Sequence, residues 1–357
     1  MSHRCNSLRI IDNLAEITSH HDRQVLEKSL LKTLNELFPG QSMRLFRVRH
    51  HQRQDDQEVT LLAFCVNDVI VSSDENPSLN QESVWLHEIM SDAVKQGGIQ
   101  VRQAEDGSNH IAYPAFDSHG DIFAVLVHHC QQQPDSASQR LIHGILRVYA
   151  NYLALIDKSQ RDKLTNLYNR ETLDEQITKI LVKQSDDLNK LSVSAVDSRR
   201  RHYAVRYWLG LVDIDNFKRI NDTYGHLFGD EVLILVARLM TSGAIRDDDL
   251  IFRYGGEEFV VLLKAAQESD AQQAFERLRR IVSAHVFPQI DGVTVSIGFV
   301  EVADQVSPAD VLGQADDALY YAKQQGRDQV HNYQQLVTGG KIAIPPPVNN
   351  DSSLELF

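Results

Sequence analysis

Two acidic side chains stand at the end of one apolar segment. The stretch YWLGLVDID is apolar almost throughout and ends in Asp213 and Asp215. If this segment is a strand, residues two apart point to the same face, so both carboxylates lie together. Crowded carboxylates repel one another unless a cation lies between them. Taken alone, the pair is explained equally well as two acids at the end of a strand that face solvent and bind no cation.

A second acidic pair follows two glycines. In IFRYGGEEFVVLL, two apolar runs are joined by Gly255 and Gly256, which suit a two-residue hairpin turn, and Glu257 and Glu258 come next. If the flanking strands pair with the first one, Asp213 and Glu257 meet at one edge of the sheet. Mg²⁺ prefers such hard oxygen ligands, and at an open site it commonly carries substrate phosphates. The joint pattern predicts a magnesium site for a nucleotide; the alternative is an ordinary hairpin.

Length and composition indicate a globular chain of more than one domain. At about 150 residues per domain, the 357 residues predict roughly two domains. The formal net charge of −13 argues against a protein that coats nucleic acid or an anionic membrane, so we expect neither partner. The three cysteines form no C-x-x-C pair, which indicates neither a disulfide framework nor a zinc site. With no leader-like or membrane-spanning apolar run, we expect a cytoplasmic protein.

The first half of the chain predicts a layered domain of sheet and helices in the order αβββαβββ. Apolar residues at helical spacing indicate the helices, and alternating apolar residues between turn signals indicate the strands. The predicted helices span residues 23–37 and 82–95, and the predicted strands span residues 43–48, 59–66, 69–72, 99–102, 110–115 and 122–128.

One long helix is predicted from residue 134 to about residue 161. Its apolar stripe is two rows wide, so one row can pack on the preceding domain while the other forms a coiled-coil seam with a second copy of the chain. The alternative is a helix buried wholly within one subunit. The first row contains Leu141, Ile145, Val148, Tyr152 and Leu155, and the second contains Ile142, Leu146, Tyr149, Leu153 and Ile156.

The second half alternates strand and helix signals and is predicted to be α/β. The tail from residue 338 has three consecutive prolines and no period, so we predict that it is disordered. The predicted strands span residues 207–214, 250–254, 257–263, 293–299 and 329–332, and the predicted helices span residues 216–221, 230–240, 268–284 and 308–325.

Five ordered motifs in the second half resemble the GGDEF family of diguanylate cyclases. They are DKLTNLYNR, DIDNFKRINDTYGHLFGDEVL, RYGGEEF, VTVSIG and ADDALYYAKQQGRDQV, and together they cover residues 161–333. The resemblance implies a ferredoxin-like nucleotidyl cyclase domain that condenses two GTP molecules into cyclic di-GMP and releases two pyrophosphates. The overall fold class is then α/β (α+β), with a GAF-like mixed-sheet sensory domain in the first half.

The same resemblance implies the metal ligands. Asp213, the backbone carbonyl of Ile214, Glu257 and Glu258 correspond to the positions that hold two Mg²⁺ ions, for which Mn²⁺ can substitute. Glu258 is a candidate either for the second metal or for deprotonating the attacking 3′-hydroxyl, and the choice of base between the two glutamates stays open.

Substrate contacts are implied residue by residue. Asn221 and Asp230 resemble the pair that reads guanine, because a carboxylate accepts from the guanine N1–H and exocyclic amine, which adenine does not offer. His226 lies near this base pocket and is either a substrate contact or an ordinary hydrogen-bonded histidine. The predicted phosphate contacts are Lys218, Lys323 and Arg327, of which Lys218 is also counted as catalytic.

A product-binding site is implied at Arg246 and Asp249, which have the family's R-x-x-D spacing before the hairpin. Cyclic di-GMP bound there would inhibit the enzyme; the alternative is a charged surface loop. The stretch between Asp162 and Asp213 is longer than the family pattern, so we predict an inserted loop at residues 184–203. Asn166 stands where the family usually has glycine.

The predicted organisation is a GAF-like sensory domain at residues 1–133, a signalling helix at 134–160, the GGDEF domain at 161–337 and a tail at 338–357. We expect a homodimer, regulated by product and by an unknown small ligand of the first domain. The alternative function is a non-catalytic receptor for GTP or cyclic di-GMP. A polymerase lacks support because no basic or aromatic strand channel is visible.

Overall fold

The computed structural model describes residue 15 and residues 22–38, 40–50, 57–72, 84–117, 119–193, 206–246 and 249–343. The chain divides into two compact units, Met1–Ser159 and Gln160–Phe357, and each is described by itself. Among the helices that these residues form, none combines the length and apolarity needed to cross a membrane.

The first unit has the predicted order αβββαβββ followed by one long helix. Each predicted helix and strand is present, with bounds that differ by a few residues. The elements are α1 (Arg23–Leu37), β1 (Ser42–His50), β2 (Gln57–Val66), β3 (Val69–Ser72), α2 (Val84–Gln96), β4 (Gln100–Gln103), β5 (Asn109–Phe116), β6 (Ile122–Cys130) and α3 (Ser136–Ser159).

The six strands form one sheet in the order β3-β2-β1-β6-β5-β4. Every strand pair in it is antiparallel, so the expected mixed sheet is wrong. Sequential strands such as β5 and β6 follow one another through short connections, which allow only antiparallel pairing. Helices α1 and α3 pack on one face of the sheet and α2 packs on the other.

Helix α3 fully buries one of its two apolar rows in the first unit, and of the other row it buries Ile145. Tyr149 and Leu153 belong to the row that packs into the core. In the other row, Leu155 is 62% exposed, and Val148 and Tyr152 are half-buried. The described residues of the unit therefore leave the first row, which contains Val148, Tyr152 and Leu155, incompletely covered.

The second unit follows the predicted alternation, with two further helices. Its elements are α4 (Arg170–Val193), β7 (Arg206–Ile214), α5 (Phe217–Tyr224), α6 (His226–Leu239), β8 (Leu250–Gly255), β9 (Glu258–Ala265), α7 (Glu268–Ala284), β10 (Val295–Val302), α8 (Pro308–Gln324), β11 (Val330–Asn332) and α9 (Tyr333–Thr338).

Strand β7 lies at the centre of a sheet with the order β11-β10-β7-β9-β8. Only the β10–β11 pair is parallel among the pairs that the structure describes. Helices α5, α6 and α7 cover one face, and α4, α8 and α9 cover the other. Helix α8 approaches β10 so closely that a Cβ at Gly298 would lie 2.1 Å from the backbone nitrogen of Leu319, so only glycine fits there.

Two expectations about the second unit need correction. The segment predicted as an inserted loop begins inside α4, which runs to Val193; residues 194–203 lie outside the described residues. The tail does not begin at residue 338, because Thr338 ends α9 and Ile342 packs against the core. Residues 344–357 of the predicted tail lie outside the described part of the chain.

Candidate active site

The central strand carries Asp213 to one end of the sheet. Residues 208–215 are all buried, and Asp213 itself is 5% exposed. In the antiparallel β7–β9 pair, Asp213 lies directly opposite Glu258. The two carboxyl-bearing segments are thus brought together by strand pairing, as predicted.

The hairpin turn differs by one residue from the prediction. Gly255 pairs with Glu258, so the two central residues of the turn are Gly256 and Glu257 rather than the two glycines. An irregularity in the pairing between Arg253 and Gly255 extends β8 by one residue and shifts the turn. Gly256 has a φ of 53°, the left-handed conformation that glycine adopts without strain.

A lysine neutralises the buried acid. The ammonium of Lys323, in the last turn of α8, lies 2.8 Å from Oδ2 of Asp213. Burial nevertheless raises the pKa of Asp213 to about 6, and repulsion from Glu257 and Glu258 adds to this effect while Lys323 opposes it. The end of β7 is therefore a place where negative charge is costly and a cation is stabilising.

Glu258 feels the same crowding. Burial is the main reason that its pKa is raised, and the neighbouring charges of Asp316 and Glu257 raise it further. The positive charges of Lys323 and Arg170 act in the opposite direction. A carboxyl with a raised pKa is a better proton acceptor than an ordinary glutamate, which is the property required of a general base.

An open groove of about 690 Å³ adjoins Glu258 between α4 and α8. Arg170, Tyr254 and Asp316 line it, and the guanidinium of Arg170 lies 4.5 Å from the centre of the Tyr254 ring. The acidic end of β7 is thereby accessible from the face that α4 and α8 cover.

The residues at this end of the sheet fit a hard divalent cation. In the described part of the chain, no three His, Cys, Asp or Glu side chains are arranged to hold a metal ion, and Asp213 is paired with Lys323. The donor chemistry is nevertheless suitable, because Asp213, Glu257 and Glu258 are carboxylates that repel one another. A cation between them would relieve that repulsion and release Lys323.

Asp215 has a different role from Asp213. Its carboxylate accepts hydrogen bonds from Oγ1 of Thr294 and Oγ of Ser296, each at 2.7 Å, and from the backbone N–H of Asp328 at 3.0 Å. The residue is 5% exposed. Asp215 is therefore a structural acceptor, and the two acids of the strand end do not act as one ligand pair.

The predicted guanine-reading residues lie on two packed helices, α5 and α6. Asn221 is half-buried, and its Oδ1 is buried without a hydrogen-bond partner among the described residues. A Cβ at Gly229 would lie 2.0 Å from that oxygen, so glycine is required for the helices to approach. Asp230 follows Gly229, is exposed, and shares a helix face with His226 four residues earlier. The structure thus places Asn221 against Gly229, the residue before Asp230, and His226 is exposed on the same helix as Asp230.

The predicted phosphate-binding side chains do not all have the same surroundings. Lys218 is exposed on α5 and lies three residues before Asn221, on the same side of the helix. Arg327 is exposed on the turn after α8. Lys323 is the exception, because it already pairs with Asp213.

Arg246 and Asp249 lie at the opposite end of β8 from the hairpin. At about 3.3 Å per residue, the six steps from Asp249 to Gly255 separate the two ends by roughly 20 Å. Asp249 accepts a hydrogen bond from the backbone N–H of Lys264 at 2.9 Å, and Arg246 is exposed. The predicted product site is therefore physically separate from the acidic end of β7.

Sequence reasoning gave no role to Arg253, which supports the hairpin turn. Its Nε and Nη2 donate to the carbonyl of Gly256 at 3.3 and 3.0 Å, and its Nη1 lies 3.1 Å from Oδ1 of Asp162. Asp162 also accepts from the backbone and hydroxyl of Thr165. Both residues stand in motifs noted above, but only the fold reveals that they contact each other. Nearby, Asn166 has a φ of 60°, which explains why glycine suits that position.

The raised pKa of Asp213 predicts a pH-dependent cost to stability. Because the folded state raises the pKa from 3.8 to about 6, the folded state is favoured while the acid is protonated, and this advantage is lost as pH rises through 6. Wild type should therefore lose stability between pH 4 and pH 7, and Asp213→Asn should not. The unfolding free energy of Asp213→Asn minus that of wild type should increase over this range by on the order of 2 kcal/mol.

Urea unfolding without divalent cations at a series of pH values measures this difference. Asp222→Asn, at an exposed acid on α5, is the control and should show no such trend. A difference between Asp213→Asn and wild type that stays constant with pH would contradict the electrostatic description of the site.

Comparison with known proteins gives a consistent assignment. The family model described as diguanylate cyclase, GGDEF domain, matches residues 159–329. Diguanylate cyclase DgcZ of Escherichia coli (strain K12) is 36% identical over 215 residues, which are 58% of this chain and 66% of that protein. The response regulator PleD of Caulobacter vibrioides (strain NA1000 / CB15N) is 37% identical over 209 residues, 55% of this chain and 42% of that protein.

Among solved structures, the GGDEF domain of DgcB from Caulobacter crescentus in complex with c-di-GMP is 29% identical, with a TM-score of 0.43. The match covers 49% of this chain and 96% of that one. The first curated relatives are matched over less than two thirds of their own length. Residues 159–329 therefore match the GGDEF domain of the diguanylate cyclase family.

Proposed function

We propose that this chain is a diguanylate cyclase, which condenses two GTP molecules into cyclic di-GMP and releases two pyrophosphates. The observation that carries the proposal is the acidic end of β7, where Asp213 faces Glu258 across the strand pair and Glu257 occupies the turn. The named relatives DgcZ, DgcT and DgcM, each described as a diguanylate cyclase or a probable one, support the same activity.

The acidic cluster is the proposed site of divalent metal. Asp213, Glu257, Glu258 and the backbone carbonyl of Ile214 would hold two Mg²⁺ ions, for which Mn²⁺ can substitute. Bound there, the metal supplies charge stabilisation for the attacking and leaving oxygens of phosphoryl transfer. Its charge would also compensate for the burial and the repulsion from Glu257 and Glu258 that raise the pKa of Asp213.

The reaction requires a nucleophile and a group that accepts its proton. The 3′-hydroxyl of one GTP attacks the α-phosphorus of the other, and pyrophosphate leaves. Glu258 is proposed either as a ligand of the second metal or, when it holds no metal, as the acceptor of the hydroxyl proton, because burial raises its pKa above that of an ordinary glutamate. Lys218 and Lys323 would balance the phosphate charge.

Guanine specificity is assigned to Asn221 and Asp230. The exposed carboxylate of Asp230 is free to accept from the guanine N1–H and exocyclic amine, and the unpartnered Oδ1 of Asn221 offers a further acceptor. Adenine lacks the matching donors and would leave these groups unpaired, which is a strong basis for rejection. His226 lies on the same face of α6 as Asp230 and is a further proposed contact.

A homodimer is proposed because one such site holds one GTP, whereas the reaction joins two. Two copies related by C₂ symmetry would present two GTP molecules to each other. The partly exposed row of α3 that contains Val148, Tyr152 and Leu155 is the proposed seam, because the neighbouring apolar row is buried within the first unit.

Regulation is proposed at two places. The first unit, with its αβββαβββ order, fits a GAF-like sensory domain for a small ligand, and its long helix leads directly to the cyclase domain. Arg246 and Asp249 are the proposed inhibitory site for cyclic di-GMP. Arg246 is exposed and offers a bidentate fork to phosphate or to a guanine edge.

Turnover by the purified full chain tests the enzymatic proposal. With GTP and Mg²⁺, and after removal of bound nucleotide, we expect one cyclic di-GMP for every two pyrophosphates, measured by chromatography. Glu257→Gln should lower turnover by about a hundredfold or more, because metal-dependent charge stabilisation is lost. Asp270→Asn, at an exposed acid at the start of α7, should retain wild-type turnover.

The outcome that would contradict the cyclase is GTP binding by wild type without any product, both alone and after forced dimerisation. That result would favour the receptor function instead. Equal turnover of Glu257→Gln and Asp270→Asn would exclude the hairpin as the catalytic centre.

Substitution in the exposed row of α3 tests the dimer. Leu155→Glu places a charge in the proposed seam and should weaken self-association and lower turnover at low protein concentration. Ala154→Glu is the matched control, because Ala154 is exposed on a different side of the same helix. Sedimentation equilibrium and turnover at several concentrations measure both effects. If the two variants associate equally well, the seam is wrong.

A further inference from the structure

The turn after α8 has an unusual backbone. Gly326, Arg327 and Asp328 have φ values of 115°, 66° and 49°, so three consecutive residues lie in the left-handed region. For residues other than glycine this conformation is strained, because the Cβ crowds the neighbouring carbonyl oxygen. Strained residues of this kind persist only where the surrounding structure holds them, and they concentrate at functional sites. Arg327 is a proposed phosphate contact, so the restraints on this turn bear on substrate binding.

The first restraint is the end of helix α8. The N–H of Arg327 donates to the carbonyl of Ala322 at 3.1 Å, which is the six-to-one hydrogen bond of a Schellman cap with Gly326 in the left-handed position. Lys323 lies in the last turn of the same helix. The cap therefore fixes the backbone of Arg327 relative to the lysine that contacts Asp213.

The second restraint is Asp215. Its Oδ2 accepts the backbone N–H of Asp328 at 3.0 Å, and its two oxygens also hold the hydroxyls of Thr294 and Ser296. Because Asp215 is buried and lies two residues after Asp213, it connects the turn directly to the strand end that carries the acidic cluster.

The third restraint is an ion pair from helix α7. Nη1 of Arg279 lies 2.6 Å from Oδ1 of Asp328, and the same guanidinium donates to Glu276 through Nη2 at 2.7 Å. The side chain of Arg279 is only 16% exposed, so this pair is shielded from water on the arginine side. By contrast, the side chain of Arg327 is exposed and forms no ion pair with the residues that the structure describes.

We propose that Asp215, Asp328 and Arg279 form an anchor that positions Arg327 for the triphosphate of the substrate. This inference rests on the proposed function. The anchor holds Arg327 and Asp328 in a strained backbone conformation. Because the side chain of Arg327 forms no ion pair with the described residues, the direction of its guanidinium is set by this backbone. If the ion pair is removed, the turn relaxes towards ordinary φ values and Arg327 leaves its position relative to Lys323. Asp215, Asp328 and Arg279 are thus positioning residues, and none of them touches substrate.

Binding measurements on the full chain test the anchor. The probes are a GTP analogue with a methylene bridge between the α and β phosphorus atoms, and GMP, each titrated calorimetrically with Mg²⁺ present. Asp328→Asn and Arg279→Gln should each weaken binding of the triphosphate analogue about three- to tenfold and leave GMP binding unchanged. Arg280→Gln is the matched control: Arg280 pairs with Glu276 at 3.1 Å but is largely exposed, and it should bind both probes as wild type does.

A coupling test separates positioning from general destabilisation. In an Arg327→Ala background, Asp328→Asn should cause no further loss of affinity for the analogue, because the positioned side chain is already absent. The anchor is refuted if both variants bind the analogue like wild type, if GMP binding falls equally, or if the losses are additive with Arg327→Ala. If wild type binds neither probe, both the proposed function and the anchor fail. If wild type binds the analogue and the variants bind it equally well, the anchor alone fails.

Discussion

The burial of one charged group, Asp213, is the constraint on which the second unit depends. A carboxylate removed from water is costly unless it is paired, and here burial raises its pKa even though Lys323 lies 2.8 Å away. Glu257 and Glu258 lie near the same strand end, and their charges add to the electrostatic cost of ionising Asp213. A protein that keeps such an arrangement holds a site whose natural complement is a divalent cation with an anionic ligand.

The remaining contacts keep that arrangement rigid. Arg253 ties the hairpin to Asp162 at the start of the unit, and Asp215 ties the end of the central strand to β10 and to the turn after α8. The left-handed residues at Gly256 and Arg327 lie in these tied segments. The geometry of the acidic end of β7 is thus held by hydrogen bonds between segments far apart in the chain, and these contacts maintain a local strain that no single segment could maintain by itself.

Most elements could be predicted because their apolar patterns are local. The hairpin was misplaced by one residue because a pairing irregularity depends on the partner strand. Helix α4 is not among the predicted elements, although Leu173, Ile177 and Ile180 have helical spacing; only its later part, from residue 184, falls in the predicted inserted loop. The role of Asp215 was beyond sequence reasoning: its hydroxyl partners Thr294 and Ser296 are 79 and 81 residues away, and the pairing of Lys323 with Asp213 likewise exists only in the fold.

Metal binding by the intact chain tests the central claim most directly. Titration with Mn²⁺, followed by the loss of the free-ion signal in electron paramagnetic resonance, should reveal binding that Asp213→Asn weakens by about tenfold or more. Lys323→Met should bind Mn²⁺ at least as tightly as wild type, because it removes the cation that competes for Asp213. Unchanged affinity in Asp213→Asn would contradict the claim that the buried carboxylate at the end of β7 is the centre of a metal site.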